Sequence, residues 1–140
     1  MRIISKFSEY HINIKIKLCA LWSAVTSLYI YCDYFELYTP TKIEAMINGT
    51  TIFGAGDQTA LLGLSSIMMV TSLMICLSVL LPAKVNRILN ILVGFIMTVM
   101  LMFLAYSVGW YFYKMYAVVE SILTMVIVWL AWKWPQESNA

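Results

Sequence analysis

Long apolar runs alternate with short polar interruptions along the chain. Thr59 to Ala83 and Ile88 to Tyr113 contain no Asp, Glu, Lys or Arg, and each exceeds the roughly 20 mostly apolar residues that a spanning helix needs. Leu18 to Cys32 is uncharged but short, and attains membrane thickness by taking in Asp33 and its aromatic neighbours. Met115 to Trp134 is long enough but carries Glu120. The pattern predicts helices over 18–38, 58–82, 87–109 and 114–134 in a single membrane domain over 1–140. The expected fold class is all-α: a four-helix transmembrane bundle.

The interruptions have their own signals. From Met1 to Lys17 apolar and polar positions alternate, Ile12, Ile14 and Ile16 against Asn13, Lys15 and Lys17, which reads as an extended or interfacial lead-in. Thr39 to Asp57 is the one long connection. Thr41 with Glu44 after Pro40 makes a capping box; Ile43, Met46 and Ile47 share a face, and Gly49 supplies a stop. A short interfacial helix in the outer loop between helices one and two is expected there. Asn48-Gly49-Thr50 matches a glycosylation acceptor, of consequence only in a host that glycosylates. Gly54-Ala55-Gly56 is too short for a phosphate-binding loop and reads as a flexible return, with Asp57 as the cap of helix two.

Helix two carries Gly63, Ser65, Ser66, Thr71, Ser72 and Ser78, small residues that allow close helix approach in lipid. Pro82 ends it, and the brief Ala83 to Arg87 connection predicts that helix three returns antiparallel beside it. Asn86 is the expected cap of helix three, with Asn90 one turn on, bonding to the connection.

Composition fixes the solvent. Of 140 residues, 62% are hydrophobic and 11% charged, with mean hydropathy +0.84, too apolar for a soluble domain of this size. The net charge of +2 is scattered rather than gathered into a stripe that follows a phosphate backbone, which argues against nucleic acid as a partner. Arg2, Lys6, Lys15, Lys17, Lys84, Arg87 and Lys133 fall on one side of the spans and only Lys42 and Lys114 on the other. Basic residues mark the cytoplasmic side, so a cell-membrane protein with both termini cytoplasmic is expected. The first apolar run lacks a small-residue cleavage site and is read as retained. Tyrosines and tryptophans agree with this placement: Tyr29, Tyr31, Tyr34 and Tyr38, then Trp110, Tyr111, Tyr113 and Tyr116, then Trp132 and Trp134 collect at span ends, as headgroup belts do.

Little of the chain carries chemistry. Cys19, Cys32 and Cys76 are odd in number, form no C-x-x-C pair and read as small packing residues. His11 lies across the hydrocarbon from the outer acidic residues and joins no metal site with them. No nucleophile has an identifiable base, so neither catalysis nor a cofactor is expected. Asp33 and Glu120 are the informative residues, because an acidic side chain at a span centre costs about 2.5–3.5 kcal/mol on insertion scales. Glu120 lies about 9 Å past Lys114 at helical rise, which puts both acids in the outer half. Trp22, Thr26, Tyr29, Asp33 and Glu36 form one stripe, and Ala117, Glu120, Thr124 and Ala131 another. These predict an outer-half acidic pocket of Asp33 and Glu120, with Tyr29 and Thr124 as hydrogen-bond partners. Two carboxylates sharing a low-dielectric site do not readily both ionise, so a proton or cation would bind there. The alternative is structural: Asp33 reaches outer water and Glu120 is neutral, bonded across the bundle. At the level of function, binding or transport of a small solute or proton stands beside a structural or assembly role with a homo-oligomer or membrane-protein partner.

Leu21-Trp22, Tyr29-x-Tyr31-x-Asp33, Leu81-Pro82-Ala83-Lys84-x-Asn86-Arg87-x-x-Asn90, Glu120 and Trp132-Lys133-Trp134-Pro135 together give a pattern over nearly the whole chain. It resembles an uncharacterised family of small prokaryotic four-helix integral membrane proteins, a domain of unknown function. The resemblance implies the architecture and no activity.

Overall fold

The computed structural model of the protein describes residues 10–51, 54–55 and 58–134. Four long helices dominate: α1 (Ile14–Glu36), α3 (Gln58–Leu80), α4 (Ala83–Ser107) and α5 (Tyr111–Trp132). Each is long and apolar enough to cross a membrane, and together they form a four-helix bundle. A short helix, α2 (Lys42–Ile47), follows α1, and the two-residue strands β1 (Thr50–Thr51) and β2 (Gly54–Ala55) pair antiparallel after it.

Helix ends differ from expectation where side chains redirect them. α1 begins at Ile14 rather than at Leu18, because Asn13 Oδ1 accepts a 2.9 Å bond from the Lys15 amide and so caps an orphan donor. The alternating stretch therefore already contains the first helical turn. Thr41 precedes α2 with φ +66° and makes no side-chain cap bond. Left-handed backbone takes its hydroxyl out of N-cap geometry, so the helix forms without the capping box. Gly49, at φ +68°, ends that turn in the conformation glycine tolerates best. Ile43, Met46 and Ile47 are all exposed, as an interfacial face requires. α4 starts at Ala83 directly after Pro82, so Asn86 lies inside the helix instead of capping it. Asp57 lies outside the described residues.

Helix order around the bundle is the larger correction. α5 packs along both α4 and α1, and α1 packs also along α3, whereas α3 and α4 scarcely touch despite the two-residue link of Leu81 and Pro82 between them. A short link holds two helix ends together and leaves the rest of each axis free to follow its better-fitting face. For α4 that face is Asn86, Asn90, Val93, Gly94, Met97, Thr98 and Leu101. At its centre a Cβ on Gly94 would sit 2.9 Å from Val128 Cγ2, so glycine is what lets α4 and α5 approach. The small residues of α3 do not serve this purpose. Gly63, Ser65, Ser66 and Ser72 are exposed, and only Thr71 and Ser78 face inward.

The core is built by Leu18, Trp22, Val25, Met74, Val93, Met97, Leu101 and Ile127. Outward faces are equally apolar, with Leu73, Leu80, Ile88, Phe103 and Ile122 all exposed, as expected where hydrocarbon is the solvent.

Candidate functional site

Inside this apolar frame, two groups of buried polar side chains stand out, one toward each end of the bundle. The first lies near the end that carries α2. Counted from the helix ends at that side, with a rise of about 1.5 Å per residue, Tyr29 is about 10.5 Å deep, Glu120 about 13.5 Å and Thr26 about 15 Å. Tyr29 and Thr26 are on α1 and Glu120 is on α5, two helices that pack together. Glu120 is 3% exposed and Tyr29 6% exposed. Among the described residues, the buried side-chain oxygens without a hydrogen-bond partner are Glu120 Oε1, Tyr29 Oη and Thr26 Oγ1. Buried polar atoms are ordinarily satisfied, so these three exceptions, two of them a turn apart on α1 and the third on a helix packed along it, mark atoms whose bonding the protein alone does not complete.

Thr26 is the sharpest of the three. Hydroxyls in these helices habitually fold back onto their own backbone: Ser23 onto Cys19 O, Ser27 onto Ser23 O, Ser66 onto Leu62 O, Ser121 onto Ala117 O. Thr26 makes no such bond although its Oγ1 is buried.

Asp33 is exposed, one helical turn beyond Tyr29. It lies within electrostatic reach of Glu120, as do Tyr29 and Cys32 of α1 and Tyr113 of α5. The two acids are neighbours in charge, and Asp33 stands exposed while Glu120 is buried. Thr124 is buried on the Glu120 face, but its hydroxyl donates to the backbone carbonyls of Glu120 and Ser121, each at 3.0 Å, and not to the carboxyl. Thr98 of α4 donates to Thr124 Oγ1 at 2.8 Å. The expected partner of the acid thus braces the helix turn that carries it. Glu36, at the rim, pairs with Lys42 at 2.6 Å. That is the only ion pair among the described residues, and Glu120 pairs with no cation among them. No three His, Cys, Asp or Glu side chains gather to hold a metal among the described residues.

The second group is closed. Trp22 Nε1 donates to Asn90 Oδ1 at 2.7 Å, Asn90 Nδ2 to Asn86 Oδ1 at 2.6 Å, and Asn86 Nδ2 to Ser78 O at 2.6 Å. Lys15 Nζ then donates to Leu81 O at 2.6 Å, placing a cation at the C-terminal end of α3. These bonds tie α1, α3 and α4 together. The Asn86–Asn90 pairing was legible from their four-residue spacing; the indole of Trp22 was not, because its partner lies 68 residues away.

No curated protein and no solved structure matches the chain. A family model does, over residues 5–140. With four span-length apolar helices and a match covering almost the entire sequence, the protein belongs to the family of unknown function DUF6326.

Proposed function

We propose that this protein is a multi-pass protein of the cell membrane, with both termini cytoplasmic, whose Glu120 binds and releases a proton from the outer aqueous phase. The supporting observation is Glu120 itself: a carboxyl 3% exposed, without a cationic partner among the described residues and with one oxygen unbonded. A carboxylate in that setting is far costlier than a carboxylic acid, and exposed Asp33 nearby connects the site to water at its own end of the bundle. Reversible binding, rather than covalent turnover, is the chemistry this arrangement serves. Orientation follows from Lys15, Lys17, Lys84, Arg87 and Lys133 at the opposite end, by the bias of basic residues to the cytoplasmic side.

Dicyclohexylcarbodiimide modifies a protonated carboxyl within reach of lipid. With the protein in lipid nanodiscs, mass spectrometry is expected to find Glu120 modified near neutral pH, with labelling falling as pH rises and vanishing in Glu120→Gln. Absence of modification across the series, in protein that stays folded, would overturn the proposal. A second role, assembly with another copy or another membrane protein, is favoured by the outward Gly63, Ser65, Ser66 and Ser72 of α3. A single protomer mass in nanodiscs and no co-purifying partner would count against it.

A further inference from the structure

We propose that Glu120 Oε1, Tyr29 Oη and Thr26 Oγ1 form a site for a small monovalent cation, sodium, which competes with the proton for Glu120. This rests on the reading of Glu120 as protonatable and goes beyond it, because a proton on Glu120 serves one oxygen whereas the structure leaves three unserved. All three oxygens are buried and without partners among the described residues; Thr26 and Tyr29 are about one turn apart on α1, and Tyr29 lies within electrostatic reach of Glu120 on α5, a helix packed along α1. A guest shared by a carboxylate, a phenol and an aliphatic hydroxyl meets oxygens only, the ligand set that hard cations prefer over thiolate- or imidazole-seeking metals.

Charge selects the valence. Glu120 brings one negative charge that no Lys or Arg offsets among the described residues; the nearest ion pair, Lys42 with Glu36, is already complete. One monovalent ion neutralises it, whereas a divalent ion would leave an excess positive charge in a low-dielectric setting. The other ionisable groups facing the site are Asp33 and Cys32 from α1 and Tyr113 from α5. From α4, Lys84 and Arg87 stand near one end and Tyr106 near the other, and Thr98 bonds Thr124, one turn from Glu120 on α5. Exposed Asp33 adds negative potential at the mouth, which raises the local concentration of cations. When sodium binds, the proton leaves Glu120 for the water at that end.

The experiment is carbodiimide labelling of Glu120 in nanodiscs at a fixed, near-neutral pH, with sodium chloride against choline chloride at equal ionic strength. If the site half-fills near 10 mM, about 100 mM sodium slows labelling about tenfold, following the factor 1 + [L]/Kd. Thr26→Val and Tyr29→Phe, both close in shape, are expected to weaken that protection severalfold, each variant being compared with its own labelling in choline and eluting as wild type. Labelling that proceeds equally in sodium and choline overturns the cation site and leaves the proton site standing. Undiminished protection in both variants also overturns it. No labelling in sodium-free buffer at any pH removes the proton site and this one together.

Discussion

Trp22 and Asn90 illustrate how much a single buried bond does in a bundle whose helices are long and apolar enough to cross a membrane. With both groups at the surface of a soluble protein, water would replace the partner; here an unpaired indole or amide has no substitute. Measured interhelical polar bonds in membranes nevertheless average only about 0.6 kcal/mol, with a maximum of about 1.7. Trp22→Phe keeps the ring packed in the core and removes only the donor to Asn90 Oδ1. We expect it to destabilise the protein by about 0.6–1.7 kcal/mol in a lipid or micelle unfolding assay, while carbodiimide labelling of Glu120 stays as in wild type. Loss of that labelling would mean that the two polar groups are one unit. Glu120 was visible in the sequence because an acidic residue interrupts an apolar run. Thr26 was visible only as one member of a stripe; that its hydroxyl departs from the habit of its neighbours is a property of rotamer and packing, which no one-dimensional pattern carries.

At the level of elements, glycine and serine content pointed to α3 as the close-packing helix, yet close approach occurs between α4 and α5 at Gly94. The reason is that small residues permit contact without dictating it, and the helix with the better complementary face takes the partner. Gly94→Ala would bring its Cβ within 2.9 Å of Val128 Cγ2, and valine, stiff about χ1, moves aside poorly. A loss of about 1–3 kcal/mol is expected, relieved in the double variant Gly94→Ala, Val128→Ala. Gly63 has open space around it, so Gly63→Ala should be neutral or stabilising through helix propensity, by up to about 1 kcal/mol. Equal losses at both positions in the same assay would contradict the helix order described above. The short helix α2 teaches the complementary point: its existence and its start after Thr41 were legible from apolar spacing, Gly49 and the Thr41–Glu44 signature, whereas the cap chemistry was not, because the Thr41 backbone is left-handed and its side chain makes no cap bond.

For the molecule as a whole, charge distribution defines two unlike ends. One carries the start of α1, the α3–α4 link and the end of α5, with Lys15, Lys17, Lys84, Arg87 and Lys133; the other carries α2, the Lys42–Glu36 pair and the approach to Glu120. In a background with Cys19, Cys32 and Cys76 replaced by serine, a cysteine at Glu44 is expected to react with a membrane-impermeant maleimide in intact cells. A cysteine at Lys84 is expected to react only after permeabilisation. The reverse pattern would invert the orientation and place the Glu120 site toward the cytoplasm. Between the two ends lies the apolar layer of Val25, Val93, Met97 and Ile127, which separates the acidic site from the Trp22–Asn90 group.

Sequence alone determined the number of helices long and apolar enough to span a membrane, the bundle class, the short helix in the long connection and the acidic residues in the first and last of the long helices. Each of these follows from where apolar runs are long enough for hydrocarbon and where they are broken, a property local in the chain. Tertiary structure decided which helices are neighbours, which small residues are used, and that Glu120 Oε1, Tyr29 Oη and Thr26 Oγ1 are buried without partners among the described residues while Asp33 is exposed. Those depend on facing side chains fitting across helices far apart in sequence. For helices apolar enough to span a membrane the energy differences involved are small, because lipid would solvate any apolar face and only shape and unpaired polar atoms distinguish one pairing from another.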